Sequence, residues 1–209
     1  MDSRELHAQA ETIRDRFGAL ALATLPTSVL RLDALSRSTG AEVFVKRDDL
    51  TGTLYGGNKV RKLELILADA ERRGARHIVT AGAVGSHHVL ATALYGRARG
   101  LAVTALLVPQ PPSAHVAQNL RAALGTGADL RLVPAAALPL AAAAVAARIR
   151  FREGRAPYLV PLGGSSVNGA MGYVLAGLEL AEQIARAEAP VPDAVFVALN
   201  STAGFSPLD

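Results

Sequence analysis

The sequence predicts an α/β fold in which a parallel sheet is flanked by helices. Three observations carry that expectation. Strand-like apolar runs alternate with helical patterns along almost the whole chain. The stretch 101–108 is a continuous apolar run rich in β-branched residues, as in a parallel strand covered on both faces. Half of the residues are apolar, yet aromatics make up only 4% and Trp is absent, so Ala, Leu and Val must build a core of closely packed helices and sheet.

In chain order, residues 41–46 read as a strand and 59–73 as a helix. A short strand at 76–80 ends in a Gly-rich turn, and a helix follows over 87–99. Pro109, Pro111 and Pro112 close the strand at 101–108 and open a helix over 114–124. A strand at 130–133 leads to an Ala-rich helix at 138–153, then a strand at 158–161 and a long helix at 168–187. Residues 193–199 read as the last strand. Right-handed crossovers join such units. The Pro-rich turn is a loop, not a domain linker, and no repeat of fixed period stands out. The residues after 199 contain Gly204 and Pro207 and supply no further helix, so the sheet is expected to have an unfinished edge.

Composition narrows the chemistry. With no cysteine, disulfides and thiolate metal sites are excluded. Asp2, Arg4 and Glu5 stand where a signal peptide needs apolar residues, and the Ala-rich run at 135–147, broken by Pro139, is too short to span a bilayer. A soluble cytoplasmic protein is the expectation, without a membrane partner. The net charge is +4, but the arginines are scattered and no basic run is interleaved with aromatics, so nucleic acid is not an expected partner. Arg outnumbers Lys 19 to 3, and Lys46, Lys59 and Lys62 all fall within 17 residues. Arginine substitutes for lysine in solubility, but not where an amine must lose its proton and form a covalent bond.

Two stretches are candidates for function. In GGNKVRKLE (56–64), the glycines free the backbone and Asn58 is suited to cap a helix. Lys59, Arg61 and Lys62 then crowd the first turn, where the helix dipole disfavours cations by about 0.3–1 kcal/mol each. Either they attract an anion or they form a solvated basic start offset by Glu64. In AGAVGSHH (81–88), a turn follows a strand and opens a helix, where α/β folds bind ligands. Ser86 either caps that helix or meets a substrate, and the Gly82–Ser86 amides could face a carboxylate. His87 and His88 point to different sides of a helix and lack a third ligand, so no metal is expected. Gly125, Thr126 and Gly127 read as a helix-ending turn. The glycines of 163–172 border a ligand or allow close packing. Asp48 and Asp49 suit turn and salt-bridge roles.

Taken together, FVKRDDLTG (44–52), GGNKVRKLE (56–64) and the serine turn 27 residues after Lys59 resemble the aminocyclopropane-carboxylate deaminase and D-cysteine desulfhydrase family. That family belongs to the tryptophan-synthase-β-like, fold type II pyridoxal-phosphate enzymes. The resemblance runs from about residue 26 to about residue 199. It implies pyridoxal 5'-phosphate as cofactor, held covalently by Lys59, which later moves protons, with Arg61 and Lys62 lowering its pKa. It implies Ser86 beside a small amino-acid substrate, and Asn58 and His87 with Lys59 at the cofactor. His87 stands where the family usually has an Asn that contacts the cofactor's ring oxygen, and Gly85 where it usually has Gln. By the same resemblance, 1–60 and 164–209 are parts of a larger cofactor domain and 61–163 a smaller α/β domain; a homodimer is compatible with it. The phosphate loop falls at 200–209, where only Ser201, Thr202 and Gly204 match. The chain thus looks like a C-terminally truncated member with its large domain incomplete. It is expected to be either a lyase or deaminase, with cyclopropane opening and sulfide elimination both open, or a non-catalytic fragment that binds cofactor weakly or needs a partner.

Overall fold

The computed structural model describes residues 2–197. Helix α1 (Ser3–Phe17) starts at a reciprocal cap between Asp2 and Glu5 and ends at Gly18. Strands β1 (Val29–Arg31) and β2 (Phe44–Lys46) form an antiparallel pair around the short helix α2 (Asp33–Thr39). The chain then alternates: α3 (Lys59–Arg72), β3 (His77–Ala83), α4 (His87–Ala98), β4 (Ala102–Val108), α5 (Ala114–Gly125), β5 (Asp129–Leu132), α6 (Leu138–Glu153), β6 (Tyr158–Leu159) and α7 (Val167–Ala185).

The last four strands make one parallel sheet in the order β5-β4-β3-β6. Side chains alternate across it as strand geometry requires. Ile78 and Val103 face α3 and α4, where they meet Leu63, Leu67, Ala91 and Tyr95. Val79 and Leu106 face the opposite side and pack on Val145 and Ile149 of α6. The expected fold class, a parallel sheet flanked by helices, is what the chain adopts. β3 runs further than its sequence pattern indicated, because Ala81, Gly82 and Ala83 keep pairing with Leu106, Leu107 and Val108 until Pro109 ends β4. The expected last strand is not there over residues 193–197, since a strand exists only against a partner and no described strand runs beside them. Residues 198 and 199 of that strand, and the expected phosphate loop at 200–209, lie outside the described residues. No helix of the described residues is long and apolar enough to cross a membrane.

What joins the N-terminal segment to α3 and α7 is a buried ion cluster. Arg61 is only 2% exposed. Its guanidinium donates to both carboxylate oxygens of Asp48 at 2.9 and 2.8 Å, to both of Glu179 at 2.9 and 3.0 Å, and to the Thr27 hydroxyl at 3.1 Å. Lys46 Nζ lies 2.6 Å from Glu179 and donates to Gln183 at 2.7 Å and to the Thr27 carbonyl at 3.1 Å. Helix α7 closes on α3 at Gly172, where a Cβ would come within 2.4 Å of the Arg61 carbonyl oxygen.

Burial pulls the Arg61 pKa down, but the hydrogen bonds and charges of Glu179 and Asp48 outweigh it and hold it above its ordinary value. Burial likewise pushes Glu179 up, and the bonds from Arg61 and Lys46 bring it below the ordinary carboxylate value. Removing one member of such a cluster leaves an uncompensated buried charge. Arg61→Met should therefore cost about 3–5 kcal/mol in urea unfolding; a loss under about 1 kcal/mol would show the cluster to be dispensable. Because the folded pKa of Glu179 is depressed, its stabilisation is complete above the ordinary glutamate range and is lost as pH falls through the folded value. In Glu179→Gln this part of the acid loss should be absent.

Candidate active site

The loop before α3 is drawn tight by small residues and one hydroxyl. A Cβ on Gly56 would come within 1.9 Å of the Asp49 carbonyl oxygen, and Gly57 takes φ 112°, a conformation that L side chains rarely adopt. The buried Thr51 hydroxyl sits 2.9 Å from the Asp48 carbonyl and 2.8 Å from that of Gly57, and accepts from the Gly57 amide at 3.0 Å. Asn58 occupies the position before α3 but makes no cap bond, because its φ −58° and ψ −16° are already helical, where a capping residue is extended. Its side chain instead faces the Tyr173 hydroxyl of α7 and partly offsets the rise in that group's pKa caused by burial.

The three cations of the first turn separate into three roles. Arg61 is consumed by Asp48 and Glu179. Lys62 donates to the Gly163 carbonyl at 3.1 Å and lies 5.6 Å from the Tyr173 ring centroid. Lys59, half-buried, has no hydrogen-bond or ion-pair partner among the described residues. Burial lowers its pKa. The expected help from Arg61 does not arise, since two carboxylates neutralise that charge where it stands. Glu64 does not offset the lysines either; it is buried and accepts from the Leu22 and Ala23 amides at 3.1 and 3.0 Å.

The second candidate stretch lies at the carboxyl end of β3. Ser86 caps α4, its Oγ accepting from the Val89 amide at 3.4 Å, a long bond. The amides of Val84, Gly85 and Ser86 do not wait for an anion as expected. They donate to the Val108 carbonyl at 3.1 Å, the Gln110 side chain at 3.0 Å and the Ala83 carbonyl at 2.9 Å. A helix start leaves its own first amides open, and here those belong to His87 and His88.

The two histidines diverge as adjacent helical residues must. His88 is 2% exposed and lies against α3 and Gly164, where a Cβ would come within 3.1 Å of its Cε1. Neither of its nitrogens has a hydrogen-bond partner among the described residues. Burial first, then the charges of Lys59 and Lys62, push its pKa down to about 3, so the ring is neutral. His87 is exposed and bonds the Tyr55 hydroxyl through Nδ1 and His115 through Nε2, the latter at 2.9 Å. Both nitrogens that the resemblance directs to the cofactor's ring oxygen are thus committed to side chains. Its pKa is lowered by burial, then by the charges of His115 and Lys59.

Sequence reasoning missed Tyr55, Gln110, His115 and Asn119. Tyr55 lay inside the motif loop without a spacing to mark it, and His115 stands 28 residues from His87 with nothing in the pattern to pair them.

Comparison with known proteins follows the same outline. Residues 20–206 match the family described as pyridoxal-phosphate dependent enzyme. The nocardicin C-9' epimerase of Nocardia uniformis subsp. tsuyamanensis is 43% identical over 169 residues, 79% of this chain and 52% of that protein. A D-cysteine desulfhydrase of Salmonella choleraesuis is 41% identical over 176 residues, 81% of this chain and 53% of that protein. A solved ACC deaminase homologue superposes with a TM-score of 0.75 at 36% identity, covering 83% of this chain and 53% of that one. The chain spans about half the length of these relatives.

An unpartnered, half-buried ammonium costs the fold stability. With a folded pKa below the unfolded one, that cost is present at neutral pH and fades as pH rises through the folded value. Lys59→Met should therefore unfold at a higher temperature than the parent at pH 7, with the gap narrowing as the solution is made alkaline. A lower midpoint at pH 7 would mean that the amine is satisfied in the native state.

Proposed function

The chain belongs to the pyridoxal-phosphate-dependent enzymes, and from that membership we propose a lyase or deaminase acting on a small amino acid, with Lys59 as the residue that holds the cofactor. The observation that carries this reading is the state of the Lys59 amine. A lysine must be neutral to attack an aldehyde, and Lys59 is the one described lysine with no protein partner and a pKa lowered by burial alone. Lys46 is bound by Glu179, Gln183 and Thr27, and Lys62 by Gly163. The residues therefore fit the cofactor: an available amine at a helix start, beside a strand-to-helix turn at the carboxyl end of a parallel sheet.

When bound, pyridoxal phosphate supplies an electron sink for charge that develops at the substrate's α-carbon. The chain's own residues supply the rest. Lys59 takes a proton at Nζ and returns it. The open amides at the start of α4 orient an anionic group. Ser86 Oγ, whose one bond among the described residues is the 3.4 Å cap bond, turns toward substrate. Asn58, next to Lys59 and facing the Tyr173 hydroxyl, borders the approach to the amine. The four parallel strands all lie within residues 77–159, which supports reading 61–163 as a smaller α/β domain and 1–60 with 164–209 as parts of the cofactor domain.

The relatives leave the substrate between D-cysteine, the substrate of an ACC deaminase, and a centre that is epimerised, since proteins of all three names resemble this chain. Borohydride reduction of the chain mixed with pyridoxal phosphate tests the assignment. One labelled peptide, containing Lys59, is expected, and none in Lys59→Arg, whose thermal midpoint should stay near the parent's. Label on Lys46 or Lys62 would end the assignment.

A further inference from the structure

Three rings from three separate segments meet on the Lys59 side of the molecule. Tyr55 lies in the loop before α3, His87 opens α4, and His115 is the second residue of α5. The Tyr55 hydroxyl bonds His87 Nδ1, His87 Nε2 lies 2.9 Å from His115 Nε2, and Asn119 Nδ2 lies 3.2 Å from that same nitrogen. The His87 and His115 centroids are 4.7 Å apart.

The direction of every bond follows from one carbonyl. Asn119 Nδ2 is 2.9 Å from the Gly85 carbonyl oxygen, which only accepts, so the amide group facing His115 is the donor. His115 Nε2 must then be the bare nitrogen, and its proton sits on Nδ1. His87 Nε2–H and Asn119 Nδ2–H then share the single lone pair of His115 Nε2, with the 2.9 Å contact from His87 carrying the bond and the 3.2 Å contact from Asn119 secondary. A neutral His87 with its proton on Nε2 has a bare Nδ1, and that accepts from Tyr55. The chain of donors runs one way, from the phenol to His115.

We propose that Tyr55, His87 and His115 form a proton relay, which gives the Lys59 site a second proton carrier separate from the lysine. In one step the Tyr55 proton passes to His87 Nδ1 while the Nε2 proton of His87 passes to His115 Nε2. The products are a phenolate at Tyr55, a neutral His87 of the opposite tautomer and an imidazolium at His115, so one proton has moved with no other reactant. The groups that face His87 are Tyr55 from the loop, Lys59 from α3 and His115 from α5. Tyr95 of α4 fixes the loop by donating to the Tyr55 carbonyl at 2.9 Å. Burial raises the Tyr55 pKa, so the relay rests with its proton on the phenol. Tyr55 exchanges protons with the site, while His115 and Asn119 are positioning residues that act through His87. The catalytic part of this proposal rests on the reading of Lys59 as the cofactor amine.

Two measurements test it. The first needs no cofactor: two-bond 1H–15N NMR of the whole chain, with the five histidines assigned by substitution, should show the Nε2–H tautomer for His87 and Nδ1–H for His115. The opposite tautomer at His87 overturns the relay, whatever the state of Lys59. The second uses the chain loaded with pyridoxal phosphate and D-cysteine as probe. Tyr55→Phe and His115→Phe should each lower kcat by about 100-fold or more, with KM and cofactor affinity within about twofold. His115→Gln can still accept from His87 but cannot carry the proton, and should be as slow as His115→Phe. Full turnover in His115→Gln would show that the contact only holds the loop, and would overturn the relay while leaving Lys59 labelling intact.

Discussion

Arg61 stands on the first turn of a helix, where the dipole opposes a cation, and it is nearly inaccessible to water. Two unfavourable terms are offset there by four hydrogen bonds to two carboxylates and a fifth to a hydroxyl. The cluster fixes geometry as much as it stabilises. A guanidinium is planar, and its bidentate bonds to Asp48 and Glu179 set the orientation of the segment before α3 and of α7 together. Glycine at 172 lets the α7 backbone come close enough for Glu179 to reach.

The site depends on that arrangement. Once Arg61 is neutralised and Lys62 is turned to the Gly163 carbonyl, Lys59 remains at the mouth of the helix as an amine without a partner among the described residues. Its burial then acts on a single charge and lowers its pKa. On the other side of the loop, Tyr95 and His87 hold Tyr55, so the same short segment is pinned by the ion cluster at one end and by ring contacts at the other. Loop, helix start and strand-to-helix turn are brought together by polar bonds, while the apolar core beneath them supplies the rigid support.

Much of the sheet was legible because its pattern is strong. The run that became β4 is apolar on both faces, and Leu138–Glu153 forms the helix that its pattern outlined. What escaped was set by partners distant in sequence. β1 is three residues long and exists only because it pairs with β2, the strand that the pattern at 41–46 did outline. Lys59 was singled out by motif and by the rarity of lysine. That Arg61 is a buried anchor was not, because its partner Glu179 lies 118 residues away on another helix. The Gly82–Ser86 turn read as an open anion cradle, and Gln110 from the next loop closes part of it. The Tyr55, His87 and His115 contacts were beyond reach for the same reason.

The central claim is that, among the described residues, the fold leaves Lys59 unpaired and easier to deprotonate. With only three lysines in the chain, 13C and 15N signals of labelled lysine side chains can be followed singly through an alkaline titration. The account predicts that the Lys59 amine loses its proton below the ordinary lysine value of about 10.4 in the cofactor-free chain. A Lys59 that titrates at or above that value would contradict it.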